Sequence, residues 1–202
     1  KIIAIHNGMP ERPAPARAPK DNAAQPVKLI MVARFAAQKD HDTLLRALKL
    51  IEDKNWHVSL CGNGDSLPTQ QLAVELGLTD KIDFLGERDD VPELLEKHDI
   101  FLLITHWEGF PRSIIEAMRA GLPSIATDVA GNGESITHGK TGYLVKHKDA
   151  EEVANAITQI IEDETLRLDM GKAARAAYEE QFTFLHMAKQ NLALYEALLN
   201  KA

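Results

Sequence analysis

From Ile100 to Gly121 the chain reads as a strand, a glycine turn and a helix in immediate succession, and this stretch constrains the fold more than any other. Ile100-Phe-Leu-Leu-Ile104 is a short uninterrupted apolar run with β-branched and aromatic members, the pattern of a strand buried on both faces of a parallel sheet. Gly109 permits a sharp turn. Pro111 suits the first helical position, where its missing N–H costs nothing. Ile114, Ile115, Met118 and Leu122 then recur at helical spacing until Gly121 and Pro123 stop the helix. Ser113-Ile-Ile-Glu116 also has the form of a capping box, an alternative start that would leave a helix of only about two turns.

Such a strand–turn–helix unit aims a helix N-terminus at the carboxyl end of a parallel strand, where unpaired N–H groups and the helix dipole attract phosphate. Glu108 flanks the turn. Glu116 lies further along the helix, roughly 7–8 Å from its anion-attracting end. That offset suits a ribose hydroxyl beside a bound diphosphate, and carboxylates grip hydroxyls well because each oxygen accepts hydrogen bonds. The plain alternative for either residue is solvated surface, the usual place of a glutamate.

The rest of the chain extends the same alternation. Val27 to Ala33 predicts a strand followed by Arg34 and Lys39, and Asp40 or Asp42 can cap a helix carrying Leu44, Leu45, Leu48 and Ile51. His57 to Cys61 predicts a second strand, ending in Gly62-Asn-Gly64. A dinucleotide fingerprint would need a third glycine where Leu67 stands, so this pair alone says little. A strand over 82–85, a helix over 91–98, and a strand over 123–127 follow. Ala130-Gly-Asn-Gly-Glu134 makes a glycine-rich turn, 139–145 a turn and a last strand, and three striped helices close the chain. Alternation of this kind specifies an α/β fold, a doubly wound Rossmann-like parallel sheet with helices on both faces. Arg34 and Lys39, Gly62 and Gly64, Glu108 to Phe110, and Gly131 to Glu134 each follow a strand's carboxyl end, the edge at which such sheets bind ligands.

Ahead of this core, Ile2 to Ile5 predicts a short strand closed by His6-Asn-Gly8, and residues 9–26 hold five of the nine prolines, predicting an exposed, semi-extended linker. The expected organisation is thus a strand over 1–8, a linker over 9–26, a ligand-binding domain over 27–181 and a terminal helix over 182–202. A net charge of -7 argues against a general nucleic-acid binder. The single Cys61 suits a reducing compartment and gives little reason for metal or redox chemistry. No apolar run approaches the ~18–20 residues of a membrane span, and no signal segment is visible, so a soluble cytoplasmic protein is expected. A start at Lys1 running straight into Ile2-Ile-Ala-Ile5 is compatible with a piece of a longer chain.

These pieces together resemble the C-terminal, donor-binding domain of a GT-B fold retaining glycosyltransferase of glycosyltransferase family four. The matching residues are Asn7-Gly8, Ala33-Arg34-Phe with Lys39, Gly62-Asn-Gly64-Asp65, Phe84-Leu-Gly86, Glu108-Gly-Phe-Pro with Glu116-Ala-Met, Gly121-Leu-Pro and Ala130-Gly-Asn-Gly-Glu134, in the family's order over most of the chain. The resemblance implies that Arg34 and Lys39 hold the diphosphate of a UDP- or GDP-linked sugar, Glu116 the ribose and Glu108 the transferred sugar. The backbone around Gly109, Phe110 and Pro111 would hold sugar and phosphate, Gly62 and Gly64 would border the donor, and the base would lie near Gly86 to Arg88. No cofactor and no metal ion is implied, since cations and a helix N-terminus meet the leaving group's charge. The acceptor, a sugar, lipid or other glycan, would belong to an absent N-terminal domain, towards which the last helix would pack. That domain would also bring peripheral contact with the inner face of a membrane and a role in polysaccharide assembly. This chain alone would bind donor weakly and transfer nothing.

Three residues depart from the family's pattern: Ala33, Asp40 and Ala130 stand where glycines are usual, and Asp40 puts a carboxylate beside Lys39. Two other readings stay open. A glycoside hydrolase would set Glu108 and Glu116 across a sugar, about 5–5.5 or 6.5–9.5 Å apart. A non-catalytic nucleotide-binding module would bind bare nucleotide as well as nucleotide-sugar.

Overall fold

The alternating runs form a six-stranded, wholly parallel sheet in the computed structural model, which describes residues 3–17 and 25–200. Its strands are β1 (Val27–Val32), β2 (Trp56–Cys61), β3 (Ile82–Gly86), β4 (Ile100–Leu103), β5 (Ser124–Thr127) and β6 (Gly142–Val145), in the order β3-β2-β1-β4-β5-β6. β4 and β5 are buried at every position, as strands covered on both faces must be. The helices are α1 (His41–Leu50), α2 (Leu67–Glu75), α3 (Val91–Glu96), α4 (Arg112–Arg119), α5 (Asn132–Ser135), α6 (Ala150–Glu162), α7 (Glu164–Gln181) and α8 (Phe184–Leu199). α1 packs against α2 and α6, and α4 against α3 and α7, giving the two helical layers.

The expected α/β architecture is therefore the observed one, and its strand order places β1 beside β4. The chain winds outwards from β1 through β2 to β3, then returns to β4 and continues to β5 and β6. The loops that leave β1 and β4 consequently diverge, opening a crevice at their carboxyl ends. Every predicted site residue after β1 and β4 is delivered to that crevice's walls.

Ahead of the sheet, two expectations change. Ile3 to Gly8 form no strand, because this apolar run finds no ladder partner among the described residues. The segment over 9–17 is extended, as its prolines require, yet it is docked on the domain. Met9 is buried and exchanges backbone hydrogen bonds with Phe182 and Phe184. Arg12 pairs with Glu93 at 2.7 Å, and the Arg17 guanidinium donates to the carbonyls of Leu95, His98 and Ala120 at 3.1, 2.7 and 2.8 Å. Those carbonyls lie at the ends of α3 and α4, where helices leave acceptors unpaired and the dipole favours a cation. Arg17→Ala is expected to lower unfolding stability by about 1.5–3 kcal/mol, read as a lower denaturant midpoint with an unchanged slope. Expectations that fall on residues 1–2, 18–24 and 201–202 lie outside the described residues.

At the other end, α8 carries the striped pattern but buries none of its residues. Leu192, Tyr195, Leu198 and Leu199 are all more than half exposed. No described helix is long and apolar enough to cross a membrane.

Candidate active site

Two loops that are far apart in sequence are stitched together where β1 and β4 diverge. Lys39 forms an isolated bridge with Thr105, the Asp40 amide donates to Ile104 O at 3.0 Å, and the His106 amide to Gln38 O at 2.9 Å. The Gln38 side chain donates to Trp107 O at 2.6 Å, and the Thr105 hydroxyl to Gln38 O at 2.9 Å. The outcome is an ion pair between Lys39 Nζ and Glu108 Oε1, side chains only 12% and 8% exposed. An ammonium and a carboxylate so far withdrawn from water hold one another firmly, because little solvent screens them. Lysine's other two N–H donors remain for a second acceptor.

Beyond Glu108 the chain passes Gly109 and Phe110 into α4. Pro111 is the residue before the helix, in extended conformation, and Arg112 is the first helical one; Pro111 is thus the N-cap and not the first helical position. No side chain caps this end. The capping-box alternative is overturned, since the helix is already under way at Ser113. At the far end the Leu122 amide donates to Ala117 O and the Gly121 amide to Met118 O, with Gly121 at φ 68°, a left-handed stop that glycine supplies without strain.

Glu116 is half-buried on α4, and its carboxylate has no hydrogen-bond partner among the described residues. Burial raises its pKa above the ordinary 4.5, against the opposing pull of Arg119 and Arg112. It borders a crevice of about 10 Å³ with Arg12, Pro13, Pro92, Glu96, Arg119 and Ala120. Glu108 keeps company with Lys39 instead. Carboxylates with such different neighbours do not face one another across a sugar, which removes the main support for the hydrolase reading.

Arg34 follows β1 at the same edge, exposed and without an ion pair among the described residues. Asp40, the departure that threatened Lys39, is occupied as the cap of α1: its oxygens accept from the Thr43 amide at 3.1 Å and the Thr43 hydroxyl at 2.7 Å. The glycines serve close approach of backbone. A Cβ on Gly62 would stand 2.0 Å from Ala33 O, and one on Gly131 would stand 1.6 Å from Gly109 O, with Gly131 at φ 88°. Gly131, and not the exposed Ala130, is therefore the position that lets the β5 loop lie against the Glu108 turn. Gly64 presses likewise on Phe35 O, whereas a Cβ on Gly86 would meet only open space. Arg88, beside it, is held by Asp90 through two bonds of 2.7 Å.

Sequence reasoning passed over His6, which it read only as part of a turn. Its ring stacks on Phe110 with centroids 4.6 Å apart, and its Nε2 lies 2.7 Å from Glu134 Oε2, so it ties the leading segment to two of the site's loops. No local pattern marks a histidine for such a role. A cleft of about 560 Å³ opens on the other side of Lys39, lined also by Phe35, Asp65, Thr69, His106 and Lys148; of the predicted set it touches Lys39 alone.

Comparison with known proteins agrees with this geometry. The sequence profile described as glycosyl transferases group 1 matches residues 15–177. The N-acetyl-alpha-D-glucosaminyl L-malate synthase of Bacillus anthracis is 35% identical over 173 residues, 85% of this chain and 45% of its own. The N,N'-diacetylbacillosaminyl-diphospho-undecaprenol alpha-1,3-N-acetylgalactosaminyltransferase of Campylobacter jejuni is 32% identical over 174 residues, again 85% of this chain and 45% of its own. Among solved structures, Anabaena Alr3699/HepE in complex with UDP and glucose superposes with a TM-score of 0.81 at 26% identity, covering 87% of this chain and 49% of that one. The chain spans about half the length of the relatives it matches. A parallel sheet of this order, a lysine–glutamate pair at its switch point and a profile match over most of the sequence lead to one conclusion: the chain belongs to the glycosyl transferases group 1 family, as a domain of the GT-B type.

Proposed function

We propose that this chain is the donor-binding half of a retaining, metal-independent glycosyltransferase that draws a hexosyl group from a nucleoside-diphosphate sugar. The observation that carries the reading is the convergence of Lys39, Glu108 and the uncapped start of α4 at the β1/β4 switch point, with Arg34 leaving the same edge. UDP is the favoured nucleotide, because the Anabaena relative was solved with UDP and glucose. The acceptor, a glycan or a lipid-linked sugar, is held by a second domain, and the exposed stripe of α8 offers that domain an apolar face.

When the bond between anomeric carbon and phosphate oxygen breaks, negative charge accumulates on the diphosphate. Arg34, Lys39 and the first amides of α4 meet that charge without having to reorganise. Glu108, held by Lys39, accepts hydroxyl protons of the sugar; Glu116 accepts those of the ribose.

Titration calorimetry with UDP, GDP and their glucose conjugates, with and without magnesium, tests this. UDP-glucose is expected to bind more tightly than UDP, magnesium to make no difference, and Glu108→Gln to abolish the preference for the sugar. Glu116→Gln is expected to weaken UDP and UDP-glucose alike. Because Glu116 must be ionised to accept and burial raises its pKa, affinity should grow as pH rises through that raised value, and Glu116→Gln should flatten the profile. Equal affinities unaffected by Glu108→Gln would mean a nucleotide-binding module, and release of free glucose a hydrolase.

A further inference from the structure

We propose that Asp40, His106 and His147 form a binding site for a divalent first-row transition ion, zinc by preference. It stands apart from the sugar-transfer chemistry above. Three loops at the carboxyl edge of the sheet, those after β1, β4 and β6, each contribute one ligand, and the three ligand atoms all lie within 4.8 Å of one another. His106 Nδ1 is 3.4 Å from Asp40 Oδ2 and 2.8 Å from His147 Nε2.

Chemistry and geometry both fit such an ion. Neutral imidazoles and a carboxylate are the ligands that zinc and its neighbours prefer, and three protein ligands leave a fourth position open. Two ligands at about 2.0–2.1 Å from zinc stand roughly 3.3 Å apart in a tetrahedral site, which is the separation of Asp40 from His106. The two imidazoles need to open by about half an ångström, and His147 is exposed on the loop before α6 and can give. Asp40 is already oriented: it is buried, and Thr43 holds both of its oxygens, the second-shell support that fixes a metal-binding carboxylate.

A hydrogen bond alone explains the cluster less well. One nitrogen of the His106–His147 pair can donate and the other accept, but His106 Nδ1 cannot then serve Asp40 equally. A cation satisfies all three lone pairs at once. The nearby cleft is lined by Lys39 and Lys148 but also by Asp42 and Asp65, so its charge does not turn a cation away. Bound there, the ion would tie the loop after β6 to the loop that carries Lys39.

Titration calorimetry with zinc chloride, and cobalt(II) absorption as a probe of coordination, test the site on the chain as it stands. One equivalent of zinc is expected, with a tetrahedral cobalt spectrum, and zinc should raise the melting temperature. His147→Ala and His106→Ala are each expected to weaken zinc binding by about a hundredfold, the upper end of what even an outer-shell partner contributes. His57→Ala and His186→Ala, at surface histidines elsewhere, should leave it unchanged. His147→Ala should also melt like the parent without zinc, which separates lost ligation from lost folding. The proposal fails if no saturable binding appears, if magnesium competes equally, or if His57→Ala weakens binding as much as His147→Ala does.

Discussion

Replacing Arg34 with alanine is expected to lower sugar transfer by about a hundredfold or more while leaving the melting temperature where it is. Removing one preorganised donor from a site of developing negative charge typically costs about 2.7–4 kcal/mol of transition-state stabilisation, which sets that magnitude. The fold should not notice, because Arg34 is exposed and makes no ion pair among the described residues. Exposed positions without such partners usually change stability by less than about 0.5 kcal/mol. The assay belongs to the protein that carries this chain together with its acceptor-binding half, with UDP affinity of the chain alone as a second readout. Arg34→Lys should recover only part of the rate, since a point charge replaces a fork that grips phosphate through two parallel bonds. Wild-type turnover in Arg34→Ala would remove this residue from the diphosphate site, and with it half of the positive charge assigned to the leaving group.

Arg34 was legible from sequence because parallel strands announce their own ends. An unbroken run such as Ile100 to Leu103 can only be a doubly covered strand, and whatever follows it must emerge at the ligand edge. Gly121 marked its helix end for an equally local reason, the left-handed conformation at φ 68°. Ile3 to Ile5 misled because an apolar run is a strand only when another strand lies beside it, a condition no local pattern records. Pro111 was displaced by one position for the opposite reason: its fixed φ suits the N-cap and the first turn alike. Contacts between loops were the least visible. Lys39 with Glu108, His6 with Phe110 and Glu134, and His106 with His147 join residues whose neighbourhood depends on the strand order, and strand order was not in the periodicity. The departure at Asp40 was resolved by Thr43, three residues on, a local cap that the sequence did contain.

Lys39→Met and Glu108→Met are each expected to destabilise the chain by about 3–5 kcal/mol, while the double variant should unfold close to the parent. Each single change leaves one charge, its side chain about nine-tenths withdrawn from water, without its partner; the double change replaces the pair with apolar side chains of similar shape. In a domain of this length, such a loss lowers the melting temperature by roughly 6–20 °C. This behaviour is opposite to that of Arg34, although both cations are assigned to the same diphosphate, and it separates a residue that only meets ligand from one that also holds the switch point together. Repeating the cycle in saturating UDP adds the decisive comparison. If the diphosphate engages the lysine's remaining N–H donors, Lys39 has a second anion to neutralise it, and its energetic coupling to Glu108 should shrink. A coupling that UDP leaves untouched would confine Lys39 to architecture, and single variants within about 0.5 kcal/mol of the parent would show that water screens the pair after all.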